Sequence, residues 1–356
     1  MGISTARLMS LSISDMVASH NKHLLWQLPF LVLLIVGTIL IIRQQHTMPY
    51  QRSSDFIFGT TYTVIYQCDS DMSVSIKAEL LKVDRSLSPF NKSSVITAIN
   101  NNKSVTPDQM FLEVFQQAMA ISRETRGAFD ITVAPLVNAW GFGFKHGEMP
   151  NPRQVDSLRA IVGYQKVTFV NGKIHKADPR MMLDCSAIAK GYGTDVVANF
   201  LRRRGVQNFM VEIGGEIVTQ GVNPQRVPWR IGVTKPTEDS LNVGHELQTT
   251  LNVTDISMAT SGNYRNFYYK GNKRYAHTVD PHTGYPVQHN ILSATVLTKK
   301  CMVADAYATS FMVMGLDGAQ KVLQRHPELM AYLIYDDGHG GHGVWFSPSL
   351  KNRIAK

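Results

Sequence analysis

Residues 24–42 read LLWQLPFLVLLIVGTILII and contain no ionisable side chain. A helix that is apolar on every side has to be buried, in a large core or in a bilayer. At about 1.5 Å per residue the run covers about 28 Å, close to the hydrocarbon thickness of a bilayer. Pro29 falls near its start, where a helix tolerates proline. The run is long for a cleaved signal peptide and no Ala-x-Ala-like site follows it, so we read an uncleaved anchor. The expected organisation is a short cytoplasmic segment over 1–23, a transmembrane anchor over 24–42, a polar linker over 43–54 and one globular domain over 55–350. Arg7, His20, Lys22 and His23 precede the run while Arg43 and Arg52 follow it, so the positive-inside bias is slight and only permits this orientation.

The 356 residues are 44% hydrophobic and 18% charged, which is enough apolar material for a sizeable core. The net charge of +9 would suit a polyanionic ligand, an anionic lipid or nucleic acid. The basic residues are scattered, with no run of five Lys or Arg, and no nucleic-acid partner is expected. Cys68, Cys185 and Cys301 leave at least one thiol unpaired and have no metal-ligand spacing.

The globular part reads as mixed α+β, with largely antiparallel sheets and packed helices. Residues 56–66 are rich in Thr, Tyr, Val and Ile and look like one strand. Apolar positions recur at helical spacing over 74–87 and over 107–123, the second with Thr106 as its cap and Pro107 at its first position. Residues 166–175 look like a hairpin turning at Asn171-Gly172. Strands are expected over 209–220, interrupted by Gly214-Gly215, and over 229–234, and a helix over 303–314 stopped by Gly315. The glycine- and histidine-rich stretch 338–343 fits a metal ligand pair but reads better as a hairpin loop. Helices and strands do not alternate in a βαβ rhythm. There is no G-x-x-x-x-G-K-[ST] loop and no G-x-G-x-x-G followed by an acid, so neither a P-loop nor a Rossmann site is indicated.

The chemistry concentrates in two places. Residues 184–195 hold Asp184, Ser186, Lys190, two glycines and Asp195, ahead of Val196, Val197, Phe200 and Leu201 at helical spacing. Polar groups at a helix start favour an anionic ligand, although an amphipathic helix with polar caps fits the spacing equally well. Asp305 and Thr309 stand at i and i+4 on an otherwise apolar helix, so their oxygens face one way. A hard cation such as Mg²⁺ wants such oxygens, while a hydrogen bond from Thr309 to a backbone carbonyl explains the spacing as simply. His277, next to the Asp280-Pro281-His282-Thr283-Gly284 turn, fits a phosphate ligand, a general base or a structural histidine.

The wording of these segments resembles the ApbE family, the FAD:protein FMN transferases. Asp184-x-x-x-Ile188-Ala189-Lys190-Gly191-Tyr192-x-x-Asp195 is similar to the family signature. Six further blocks follow the family order: 59–62, 87–90, 127–132, 259–265, 277–286 and 304–309. The resemblance covers about 56–315 and implies the family's α+β fold. It implies Mg²⁺ bound by Asp305, Thr309 and the backbone oxygen of Ala187. It implies flavin nucleotide contacts at Asp184, Lys190 and His277, with the flavin and ribityl end at Phe58, Phe90, Ala128, Phe129 and Asp130. Lys190 and His277 would be the catalytic side chains. Phe90 stands where many relatives have tyrosine, which keeps a stacking ring and loses a hydroxyl. The implied reaction is Mg²⁺-dependent transfer of FMN from FAD to a Thr or Ser hydroxyl of an acceptor protein, with AMP leaving. The implied acceptors are flavin subunits of Na⁺-translocating NADH:quinone reductase or the Rnf complex, at the periplasmic side of a bacterial inner membrane. An FAD pyrophosphatase giving FMN and AMP needs the same residues. A tethered flavin binder without catalysis does not explain the Asp305–Thr309 pair.

Overall fold

The computed structural model describes residues 27–43, 48–143, 149–236, 246–263, 267–270, 273–288, 290–339 and 341–355. It divides into two units, Met1–Pro49 and Tyr50–Lys356. In the first, helix α1 covers 27–43 with its apolar side chains exposed, Phe30 at 70% and Leu33 at 71%. Among the described residues no helix is long and apolar enough to cross a membrane. Residues 24–26 of the apolar run, and the whole of 1–23, lie outside the described residues.

The second unit begins with a hairpin, β1 (Tyr50–Ile57) and β2 (Thr60–Gln67). Two expectations change here. Residues 50–54, read as linker, are strand, and the single strand read over 56–66 turns back at Phe58-Gly59. Both turn residues have positive φ, 53° and 76°. Gly59 adopts that conformation freely, and Phe58 holds it at a cost of about 1–2 kcal/mol. Helices α2 (Ser73–Leu87), α3 (Val95–Asn100), α4 (Gln109–Glu124), α5 (Ala134–Ala139) and α6 (Pro152–Arg159) follow. The cap of α4 is Asp108 rather than Thr106, because the Asp108 carboxylate reaches the Phe111 amide at 2.8 Å. The hairpin of β3 (Val167–Val170) and β4 (Lys173–Lys176) turns at Asn171-Gly172 as expected.

Then come α7 (Ser186–Arg203), β5 (Phe209–Ile213) and β6 (Glu216–Gln220), the latter two joined by Gly214-Gly215 at φ 62° and 104°. A side ribbon of β7 (Arg230–Thr234) and β8 (Leu247–Asn252) precedes β9 (Ser257–Gly262), β10 (Phe267–Lys270), β11 (Lys273–Ala276) and β12 (Ile291–Thr298). Helix α8 (Cys301–Arg325) and strands β13 (Met330–Asp336) and β14 (His342–Phe346) complete the fold. α8 runs past Gly315, which sits at φ 70° and breaks it where the sequence predicted a stop.

Eight strands form one antiparallel sheet in the order β1-β2-β5-β6-β9-β12-β13-β14. Strand alternation sends Tyr62, Val64, Val211, Val218, Ala259, Ala294 and Leu333 to one face, against α2, α7 and α8. Ile217, Met258, Leu297, Tyr332 and Ile334 point the other way, under Trp229, Val233, Leu251 and Leu350. A sheet covered on both faces explains why β6 is buried along nearly its whole length. It also means that a polar side chain on the helix face of β6 or β9 is delivered under α7 or α8.

Candidate active site

α7 begins at Ser186, ten residues before the apolar pattern that announced it. The Asp184 amide donates to the Ile131 carbonyl at 2.7 Å, and Asp184 Oδ1 accepts the Ser186 amide at 2.8 Å and its hydroxyl at 2.5 Å. Burial raises the Asp184 pKa while both Ser186 bonds oppose the rise. Lys190, Gly191 and Gly193 are therefore inside the helix, where glycine costs about 1 kcal/mol relative to alanine. Packing accounts for the two glycines. A Cβ on Gly191 would meet the Cys301 carbonyl oxygen at 2.5 Å and Asp305 Cβ at 2.8 Å, and one on Gly193 would meet the Phe58 ring at 2.7 Å. Gly191 lets α7 cross α8 at backbone contact. Asp195 then clamps the crossing, since its two oxygens accept the Cys301 and Met302 amides, each at 2.9 Å, at the start of α8. Burial pushes the Asp195 carboxyl up to about 6, and those two amides work against it.

The crossing concentrates charge. Asp305, 2% exposed, takes the Gly191 amide on Oδ2 at 3.0 Å, which leaves Oδ1 available to another partner. By i→i−4 counting, that amide is the donor assigned to the Ala187 carbonyl. From β6, Glu216 is sent to the helix face together with Val218 and forms an ion pair with Lys190 through Oε1. Glu216 Oε2 is buried with no hydrogen-bond partner among the described residues. Burial works against the Lys190 ammonium, but Glu216 and Asp305 outweigh it and hold its pKa above the ordinary lysine value. Burial raises Glu216, Lys190 opposes the rise and Asp305 adds to it. Asp305 is also raised by burial, against Lys190 and the Gly191 amide.

One cavity of about 410 Å³ collects almost all the residues singled out in the sequence. Asp184, Ala187, Lys190, Asp305, Thr309, His277, Phe90, Ala128, Phe129 and Asp130 line it. Phe58 does not; it lines a small adjoining cavity of about 80 Å³ that shares Phe90, Ser186 and Lys190 with the larger one. Thr309 Oγ1 lies 3.0 Å from the hydroxyl of Ser261, which β9 sends to the helix face two residues after Ala259. The His277 ring stands edge-on to Phe142, with centroids 6.5 Å apart. Asp130 is occupied by backbone and side-chain donors of the scaffold: Oδ1 accepts the Thr132 amide and hydroxyl of its own loop, and Oδ2 accepts the Tyr164 amide. Residues 264–266, at the end of one sequence block, lie outside the described residues.

The donor set suits a hard cation. Asp305 and Thr309 share one face of α8, Ala187 borders the same space, and all three offer oxygen. Lys190 on the same wall suits a polyphosphate. Two polar residues of this site were not found in the sequence. Glu216 was hidden in the Gly214-Gly215-Glu216 turn, and only the acid immediately after a strand-to-strand turn marked it. Ser261 lay within a recognised block without a role.

Comparison with known proteins agrees with this geometry. The profile of the ApbE family matches residues 58–334. The chain is 39% identical to the FAD:protein FMN transferase of Vibrio cholerae, over 84% of this chain and 91% of that one. It is 38% identical to the enzyme of the same name from Haemophilus influenzae, over 79% and 85%. Among solved structures it resembles the flavin transferase ApbE from Vibrio cholerae, with TM-score 0.78 and 34% identity over 86% of this chain and 99% of that one. The apo flavinyl transferase ApbE of Pseudomonas stutzeri gives TM-score 0.77 at 28% identity, over 86% and 97%. With Asp184 and Lys190 of the signature lining one cavity together with Asp305, and its fold superposable on theirs, this chain belongs to the ApbE family.

Proposed function

We propose that this chain transfers FMN from FAD to a serine or threonine hydroxyl of a second protein. The observation that carries this reading is the α7–α8 crossing. There one ammonium, two buried carboxylates and a hydroxyl meet on the wall of a cavity of nucleotide dimensions. Its pairing with the relatives' shared activity gives the chemistry. The acceptor oxygen forms a bond to the FMN phosphorus, the pyrophosphate P–O bond breaks, and AMP leaves with the electron pair. Lys190 neutralises charge on the pyrophosphate and on departing AMP. His277, on the same wall, takes the hydroxyl proton. Phe90, 70% exposed, and Phe58 give the flavin ring an apolar edge. Asp305, Thr309 and the Ala187 carbonyl would hold Mg²⁺, which when bound lowers the charge of the pyrophosphate.

In this reading 24–42 anchors the enzyme in a bacterial inner membrane with the domain on the periplasmic side. The acceptors are flavin subunits of membrane redox complexes of the Na⁺-translocating NADH:quinone reductase or Rnf kind. Tethering raises the encounter rate with membrane-held acceptors. The test is intact mass spectrometry of such a subunit after incubation with the full chain in detergent, FAD and Mg²⁺. We expect an added FMN mass that disappears without Mg²⁺. An unmodified subunit with FMN and AMP released would make the enzyme a pyrophosphatase, and no turnover would leave only a flavin binder.

A further inference from the structure

Four buried side-chain atoms have no hydrogen-bond partner among the described residues: Ser122 Oγ, Asn252 Oδ1, Ser293 Oγ and Glu216 Oε2. Only the last belongs to an ionisable group, and only Glu216 lines the active-site cavity. Its side chain is 3% exposed, and its other oxygen is already engaged by Lys190. A carboxylate oxygen kept from water without a donor is costly, and such atoms in folded proteins are usually met by something. What meets this one is constrained by its surroundings. Lys190 is committed to Oε1, and the Gly191 amide is committed to Asp305. The phosphate oxygens of a bound dinucleotide carry no proton to give at neutral pH. The reactants' N–H donors, the adenine amino group and the flavin ring N3–H, sit at the outer ends of the dinucleotide; the donors beside the phosphates are hydroxyls, on its sugar chains and on the acceptor side chain.

We propose that Glu216 contacts the reactants directly, with Oε2 accepting a hydrogen bond from a reactant hydroxyl while Oε1 holds Lys190 against the pyrophosphate. This rests on the transferase reading and adds to it a residue that the sequence motifs did not supply. The two oxygens divide the labour: one fixes the cation that meets the phosphates, the other reads the group beside them. A carboxylate beside a polyphosphate is otherwise unfavourable, and this division accounts for its presence there.

The test compares wild type with Glu216→Gln. FAD affinity is measured by flavin fluorescence without acceptor, sulfate is used as a hydroxyl-free competitor, and FMN transfer is followed at saturating FAD. Exchanging a charge-assisted for a neutral hydrogen bond should cost about tenfold. FAD weakened about tenfold with sulfate competition unchanged assigns the hydroxyl to a sugar of the dinucleotide. Unchanged FAD affinity with transfer slowed about tenfold assigns it to the acceptor. Parallel weakening of FAD and sulfate would show that Glu216 only positions Lys190 and would overturn the proposal. So would a shift confined to the Mg²⁺ requirement, or no change at all. If Glu216→Gln does not fold, Glu216→Asp keeps the counter-charge of Lys190 while withdrawing Oε2, and carries the same expectations. A wild-type chain that binds FAD but transfers no FMN would sink the transferase reading, while the FAD and sulfate comparison would still decide the role of Glu216.

Discussion

Asp130 and the cluster of Lys190, Glu216 and Asp305 border the same cavity, yet they spend their hydrogen-bonding capacity in opposite ways. Asp130 gives one oxygen to Thr132 in its own loop and the other to the Tyr164 amide, 34 residues on. The cluster keeps capacity in reserve: among the described residues Glu216 Oε2 has no partner, and Asp305 has one N–H for two oxygens. The first arrangement is a scaffold that shapes the wall, since a satisfied carboxylate has little left to offer a ligand. The second is what a site needs before its ligands arrive. Buried polarity alone does not separate the two; unmet polarity does.

The sharpest way to break this contrast is to remove reserve capacity without removing structure. Asp305→Ala deletes one bond to Gly191 and relieves a buried charge, so the melting temperature should stay within a few degrees. FMN transfer should fall on the order of a thousandfold or more, as expected when a group stabilising transition-state charge is lost. Full activity in that variant, measured by acceptor mass, would remove the metal assignment.

Next in size is Gly191→Ala, which tests whether the cluster depends on the close crossing. The added methyl meets a backbone carbonyl at 2.5 Å, which cannot rotate away. We expect a destabilisation of about 1–3 kcal/mol by chemical denaturation, despite the better helix propensity of alanine, and a loss of transfer. Wild-type stability and rate would mean that the helices have room to spare.

The smallest effect belongs to the scaffold side. His282 places Nδ1 3.1 Å from Asp280 Oδ1 and Nε2 2.8 Å from the Arg126 carbonyl, so the protonated ring satisfies both acceptors. The bond to Asp280 raises the His282 pKa above 6.5, and burial opposes it. A histidine raised on folding adds stability that is fully present below its unfolded pKa and is lost as pH rises through the folded value. With the side chain 56% exposed, the effect is about half a kcal/mol or less. Melting temperatures from pH 6 to 8 should therefore fall slightly more for wild type than for His282→Gln. Parallel curves would contradict the assignment.

Much of this was legible in the sequence because it rested on local rules. Asn171-Gly172 specifies its hairpin by the φ values it can adopt, and Asp305 with Thr309 shares a face by helical spacing alone. α7 starts earlier than expected because its apolar repeat begins only at Val196, and nothing local accounts for Gly191 and Gly193 inside a helix. Their reason is tertiary, in the Cys301 carbonyl and the Phe58 ring, more than a hundred residues away in chain number. Asp195 looked like part of a ligand motif and is a clamp on α8, for the same reason. Glu216 was invisible because its partner, Lys190, meets it only through the pairing of β5 and β6 under α7. What a residue does for its own turn can be read from the chain; what it does for a distant helix needs the fold.

The most direct test of the central claim is crystallographic. Crystals grown with FAD and Mn²⁺ would be measured at an energy where manganese scatters anomalously. We predict a peak bonded to Asp305 and Thr309 oxygens, with the pyrophosphate beside Lys190 and a reactant hydroxyl on Glu216 Oε2. A metal peak elsewhere, with FAD bound away from the α7–α8 crossing, would contradict it.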